Sequence, residues 1–134
     1  MKGTYILVIY YGKANEIKIG ALGNIFFSKG YYFYVGSGMG AIGSSTLLNR
    51  VKRHLLNHKE KSIHWHIDYL LADKMSFITR IYLIPSIAPL ECKIAQDLAS
   101  NSDNIIDNFG SSDCSCKSHL IYFANFTELS KIFQ

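Results

Sequence analysis

The chain has 134 residues, of which 49% are hydrophobic and 18% charged, with a formal net charge of +4. That length fits one domain, residues 1–134, with one sizeable core, and a charged fraction below the average of roughly 25% excludes intrinsic disorder. Apolar runs stay far short of the ~20 residues of a membrane-spanning helix, residues 1–4 do not open a signal peptide, and three cysteines argue against a disulfide framework. A cytoplasmic protein with no membrane association is expected.

Residues 5–10, Tyr-Ile-Leu-Val-Ile-Tyr, are apolar at both alternating positions, which predicts a central strand buried on both faces. Residues 12–15 read as a turn, and the polar–apolar alternation of 16–19 followed by 24–27 predicts a hairpin. Residues 31–35 form a second β-prone run, ending in a glycine-rich loop at 36–40. Ser44 or Ser45 can cap a helix to about residue 58, with Leu47, Leu48, Val51 and Leu55 as its apolar stripe. A short helix over 64–72, a strand over 77–84 stopped by Pro85, and a helix from 86–89 to about 100 follow. Residues 101–108 read as turns and 110–117 as a loop; a strand at 120–123 and a short helix at 126–133 close the chain. Strands and helices mix without strict alternation, so an α+β sandwich is favoured over a doubly wound sheet.

Charge is unevenly spread. Residues 1–93 hold 12 basic and 5 acidic residues, whereas 94–134 hold 2 basic and 5 acidic ones. The first part is the one suited to a polyanion. On the first helix Arg50 and His54 stand four apart, roughly 60–100° from the centre of the apolar stripe, and so flank the core-facing side. An arginine beside a histidine there can hold a phosphate and manage a proton, or simply snorkel beside an interfacial histidine. Lys52, Arg53 and Lys59 add positive charge nearby.

Glu91 projects into the apolar face made by Leu90, Ile94, Ala95 and Leu98. A carboxylate there either pairs with a base such as Arg50 or Arg80, or lines a cavity as a metal ligand or acid–base group. Tyr34 ends a strand beside the glycine-rich loop, a common place for a site. His64 and His66 flank Trp65. Cys114, Cys116 and His119 look like metal ligands, but their spacing does not match a zinc knuckle; a zinc site with His64 or His66 and a Cys114 nucleophile with His119 as base remain open. Asp113, with Ser111 and Ser112, could instead organise a turn in that loop. Cys92 is expected to be a buried or half-buried thiol without a role. Residues 36–43 lack the Lys-Ser/Thr that would make a phosphate-binding P-loop.

Together these pieces resemble the GIY-YIG nuclease superfamily. Gly3-Thr4-Tyr5 matches its Gly-x-Tyr motif and Tyr34-Val35-Gly36, followed by Ser37, its Tyr-x-Gly motif. Arg50 and His54 match its helical Arg and His, and Glu91 its metal-binding Glu. Residues 64–71 (His-Trp-His-Ile-Asp-Tyr-Leu-Leu) and 110–120 resemble signatures of the DUF123 family, a GIY-YIG-like group of mostly archaeal and some bacterial proteins. Some of its members are joined to an endonuclease III-type DNA glycosylase. The resemblance implies a mostly antiparallel central sheet flanked by helices, with an inserted hairpin at about 12–30 and a C-terminal extension at about 101–134.

The implied activity is endonucleolytic hydrolysis of nucleic-acid phosphodiesters, DNA above all, in repair or processing, with DNA glycosylase association as one implied partnership. One Mg²⁺ or Mn²⁺ would be held by Glu91, and Arg50 would bind phosphate. Tyr5 or Tyr34 would act as base, Tyr5 foremost with Tyr34 positioning, activated by the positive field of Arg50, His54 and the metal. Gly36, Ser37, Lys52, Arg53 and Lys59 would contact nucleic acid. His64, His66, Asp113, Cys114, Cys116 and His119 would meet near the cleft and shape it. The competing readings are a non-catalytic nucleic-acid-binding module and a zinc-stabilised interaction domain.

Overall fold

A computed structural model describes residues 1–56, 62–111 and 116–132. Its frame is a five-stranded sheet of β1 (Gly3–Tyr11), β4 (Gly30–Gly38), β5 (Ser76–Pro85), β6 (Asn104–Ile105) and β7 (Leu120–Phe123). The strand order is β5-β1-β4-β7-β6, and every neighbouring pair is antiparallel. The hairpin between the two tyrosine motifs forms a separate two-stranded sheet of β2 (Asn15–Lys18) and β3 (Asn24–Phe27). The protein is therefore α+β, with a central antiparallel sheet flanked by helices.

The continuous apolar run of β1 has a direct cause. Tyr5, Leu7, Ile9 and Tyr11 pack on one face of the sheet with Leu47 and Val51 of α1 (Leu47–Leu55) and Ile67 and Leu70 of α2 (His66–Ala72). Ile6 and Val8 pack on the other face with Ile94, Ala95 and Leu98 of α3 (Glu91–Ser100). Both faces of the strand are covered, so both alternating positions are apolar. A last short helix, α4 (Leu129–Ile132), adds Leu129 and Ile132 to the α3 side.

Two expectations about local structure need correction. The glycine-rich stretch is not all loop: Gly36, Ser37 and Gly38 stay in β4, paired with Tyr5, Thr4 and Gly3. Glycine is required at 36 by close approach, because a Cβ there would overlap the Tyr5 ring. The helix that follows is shorter and rotated. Thr46, not a serine, caps it by accepting from Asn49 N–H at 3.3 Å, and it ends at Leu55. Leu48 and Leu55 are 43% and 56% exposed, whereas His54 is 2% exposed. A nine-residue helix lying across a sheet buries a narrow strip, and here the strip runs Leu47–Val51–His54. The turn-like segment 101–108 also contributes the two-residue strand β6.

Replacing Gly36 with Ala should lower the unfolding free energy by about 1–3 kcal/mol through overpacking against Tyr5. Urea denaturation of the variant beside wild type measures this; an unchanged midpoint would show that the close approach is not required.

Candidate active site

The paired ends of β1 and β4, the helix α1, the start of α2 and the first residue of α3 enclose a cleft of about 220 Å³. Tyr5, Tyr34, Arg50, Trp65, Glu91 and His119 are among its walls, and Gly36 and Ser37 form part of its rim. Tyr5 and Tyr34 come from neighbouring strands, with ring centroids 6.4 Å apart. Their shared sheet face and its α1 cover bring Arg50 to the same place.

Behind Tyr5 lies His54. The Tyr5 hydroxyl and His54 Nε2 are hydrogen-bonded at 2.6 Å. His54 is also packed against the rings of Tyr5, Tyr34 and Trp65, with centroids 5.4–6.0 Å away. Burial raises the pKa of Tyr5 above its ordinary value; Arg50 opposes the shift and Glu91 adds to it. Tyr34 is raised well above its ordinary value, first by burial and then by Tyr5 and Glu91. Both phenols are therefore neutral across the physiological range, and neither is a ready-made phenolate base.

The two arginines of α1 have different tasks. Arg53 makes two bonds of 2.9 Å to the carboxylate of Asp68 and a third of 3.0 Å to Ser62 O, so its charge is committed within the protein. Arg50 points into the cleft, and its Nε is buried without a hydrogen-bond partner among the described residues. Both guanidinium groups lie over the Trp65 ring, at 5.2 Å for Arg50 and 4.4 Å for Arg53.

Asp68 holds this arrangement together. It is fully buried and accepts from the backbone N–H groups of Trp65 and His64 at 2.8 and 2.9 Å, closing the first turn of α2. Burial alone would raise its pKa, but the hydrogen bonds from Arg53 and from those two backbone groups hold it below the usual carboxylate value.

Glu91 opens α3 and faces the cleft as its one carboxylate among the described residues. Arg80 pairs with Glu128 at 3.3 Å, and Glu91 Oε2 lies 3.5 Å from His119 Nδ1. His119 reaches the cleft from the segment before β7, and the Gly110 N–H donates to His66 Nδ1 at 2.9 Å. Burial lowers the His66 pKa, which keeps that acceptor neutral. His64, His66 and His119 thus border one cleft. Lys52 is exposed on α1. Lys59, Asp113 and Cys114 lie outside the described residues.

The cysteines overturn a further expectation. Cys92 is not a thiol without a partner: it forms a disulfide with Cys116, tying α3 to the segment before β7. The two cysteines stand 24 residues apart, a spacing that matches no motif. Trp65 and Asp68 were also missed as organisers of the site. Their local signal is an acid three residues after an aromatic at a helix start, inside the segment 64–71 that carries the DUF123 resemblance.

An α+β protein with a tyrosine-, arginine- and glutamate-lined cleft at one end of its sheet is what the structure defines. Residues 4–134 match the family model described as "Domain of unknown function DUF123", and the chain belongs to that family. No match is found among curated proteins or among solved structures. Among the described residues, no helix is long and apolar enough to cross a membrane.

Because the folded-state pKa of Asp68 is depressed, its contribution to stability is full above the unfolded value near 3.8 and fades as pH falls through the folded value. Asp68→Asn should therefore cost about 1–3 kcal/mol at pH 7, with the gap from wild type narrowing below pH 4. Denaturant melts at pH 7 and pH 3 measure it, and a gap of equal size at both would contradict the assignment.

Proposed function

We propose that this protein hydrolyses phosphodiester bonds in nucleic acid, DNA foremost, with the help of one divalent cation. The observation that carries the reading is the convergence of Tyr5, Arg50 and Glu91, from three separate elements, on one polar cleft with His54 bonded behind Tyr5. The resemblance of the same residues to the GIY-YIG motifs supports it, as does the basic balance of residues 1–93.

Arg50 binds the non-bridging oxygens of the scissile phosphate, where its otherwise unpartnered Nε adds a donor. A water molecule beside Tyr5 passes its proton to the phenol oxygen while the phenol proton moves to His54 Nε2 across the 2.6 Å bond. The resulting hydroxide attacks phosphorus, the bond to the leaving oxygen breaks, and that oxygen takes a proton from solvent. This relay suits a Tyr5 whose pKa is raised, because no free phenolate has to form. Tyr34 packs edge-on against the His54 ring and helps to hold it in place. Glu91 supplies a hard oxygen donor at the cleft, which suits Mg²⁺ or Mn²⁺, ions that bind through one or two carboxylates plus water and phosphate. When bound, such an ion neutralises charge at the leaving oxygen. Trp65, fixed by the Arg53–Asp68 pair, offers a ring face on which an unpaired base can stack.

Cleavage of nicked, flapped, branched and abasic DNA, and of RNA, with Mg²⁺, Mn²⁺ or EDTA tests the proposal. Glu91→Ala and Arg50→Ala should each reduce cleavage by about 10²–10³-fold. Tyr5→Phe and His54→Ala should fall together, since they interrupt the same relay. Cleavage that resists EDTA and survives Glu91→Ala would sink the proposal, and salt-sensitive binding with no cleavage by wild type would replace it with a binding module.

A further inference from the structure

Cys92 Sγ, Cys116 Sγ and a ring nitrogen of His119 all lie within 4.8 Å of one another. Cys116 is 7% exposed, His119 is more deeply buried and Cys92 is half-buried, so the group lies between α3 and β7, just below the surface. His119 faces two ways. Its Nε2 lies 3.9 Å from Cys92 Sγ, and its Nδ1 lies 3.5 Å from Glu91 Oε2. A histidine with one nitrogen toward soft ligands and the other toward a carboxylate has the outer-shell support usual for metal-ligating histidines.

We propose that Cys92, Cys116 and His119 form a redox-gated zinc site, shut by the disulfide and opened by reduction. Tetrahedral zinc, with bonds of about 2.3 Å to sulfur and about 2.0–2.1 Å to nitrogen, places sulfur and nitrogen roughly 3.6 Å apart and two sulfurs roughly 3.8 Å apart. The Cys92–His119 separation is already near that value. Once the disulfide is cleaved, the sulfurs need only side-chain rotation to part, and water can take the fourth position.

The chemistry balances. A dithiol reductant gives two electrons and two protons to the Cys92–Cys116 bond, leaving two thiols and the oxidised reductant. Zn²⁺ then displaces both thiol protons and binds two thiolates and the neutral His119 Nε2, while Nδ1–H donates to Glu91. A cavity of about 720 Å³ between α3 and β6 reaches Cys116 and gives the reductant and the ion a route in. This site uses soft sulfur and nitrogen donors, so it is separate from a hard-cation position at Glu91 and does not depend on the nuclease reading.

The test is zinc binding by the full chain, oxidised and reduced, in competition with a chromophoric chelator. Reduced wild type, freed of reductant without air, should take one Zn²⁺ per chain and release two protons, and the oxidised protein should take none at the same concentration. Bound Co²⁺ should show thiolate charge-transfer absorption that falls by about half in Cys92→Ser, as one of two thiolates is lost. Glu91→Gln should weaken zinc binding by roughly 10-fold through loss of its support for His119. The oxidised–reduced comparison needs no variant, so it stands even where a cysteine substitution fails to fold. Reduced protein that takes no stoichiometric zinc, or oxidised protein that takes as much, overturns the proposal.

Discussion

Burying the Tyr5 hydroxyl obliges the fold to provide a partner for it, and His54 provides one at 2.6 Å. Much follows from that bond. Tyr5 stands on the central strand opposite Gly36, whose missing side chain leaves room for the ring. His54 must then face inward, which sets the rotation of α1 about its axis and leaves Leu48 and Leu55 toward solvent. The same rotation sends Arg50 into the cleft. A polar pair at the base of an apolar layer thereby orients the helix that carries the cationic wall of the site.

Electrostatic order is supplied by a second buried group. Asp68 absorbs the charge of Arg53 and the two free N–H groups at the start of α2. With Arg53 so occupied, both guanidinium groups lie over the Trp65 ring, and Arg50 is left as the α1 cation that faces the cleft. A partly buried arginine is costly without an anion beside it. Among the described residues its Nε is buried without a hydrogen-bond partner. Across the cleft, His119 links Glu91 to the Cys92–Cys116 crosslink, so the acidic wall shares a residue with the sulfur group behind it.

How much of this was legible in the chain varies by element. The β1 run could be read locally, because a strand covered on both faces is apolar at every position. The β2–β3 hairpin and the stop of β5 at Pro85 were also local, since turn residues and proline act on their own backbone. The fate of Gly36–Gly38 was not, because glycine leaves a strand unless a partner strand holds it. Here Gly3, Thr4 and Tyr5 are that partner, more than thirty residues earlier. The stripe of α1 was misjudged for a similar reason: leucine spacing suggests a face, but the contact with Tyr5 chose the neighbouring one.

The sequence by itself determined which residues could make a polar cleft: two tyrosines at strand positions, an Arg–His pair one helical turn apart and a glutamate on an apolar helix face. Periodicity and chemical type are properties of short segments, so these could be read without coordinates. Only the tertiary structure decided how they are used. It placed His54 behind Tyr5, gave Arg53 to Asp68 fifteen residues away, and joined Cys92 to Cys116 across 24 residues. Such pairings depend on how helices cross the sheet. A linear pattern carries no record of that geometry, because chain separation does not encode distance.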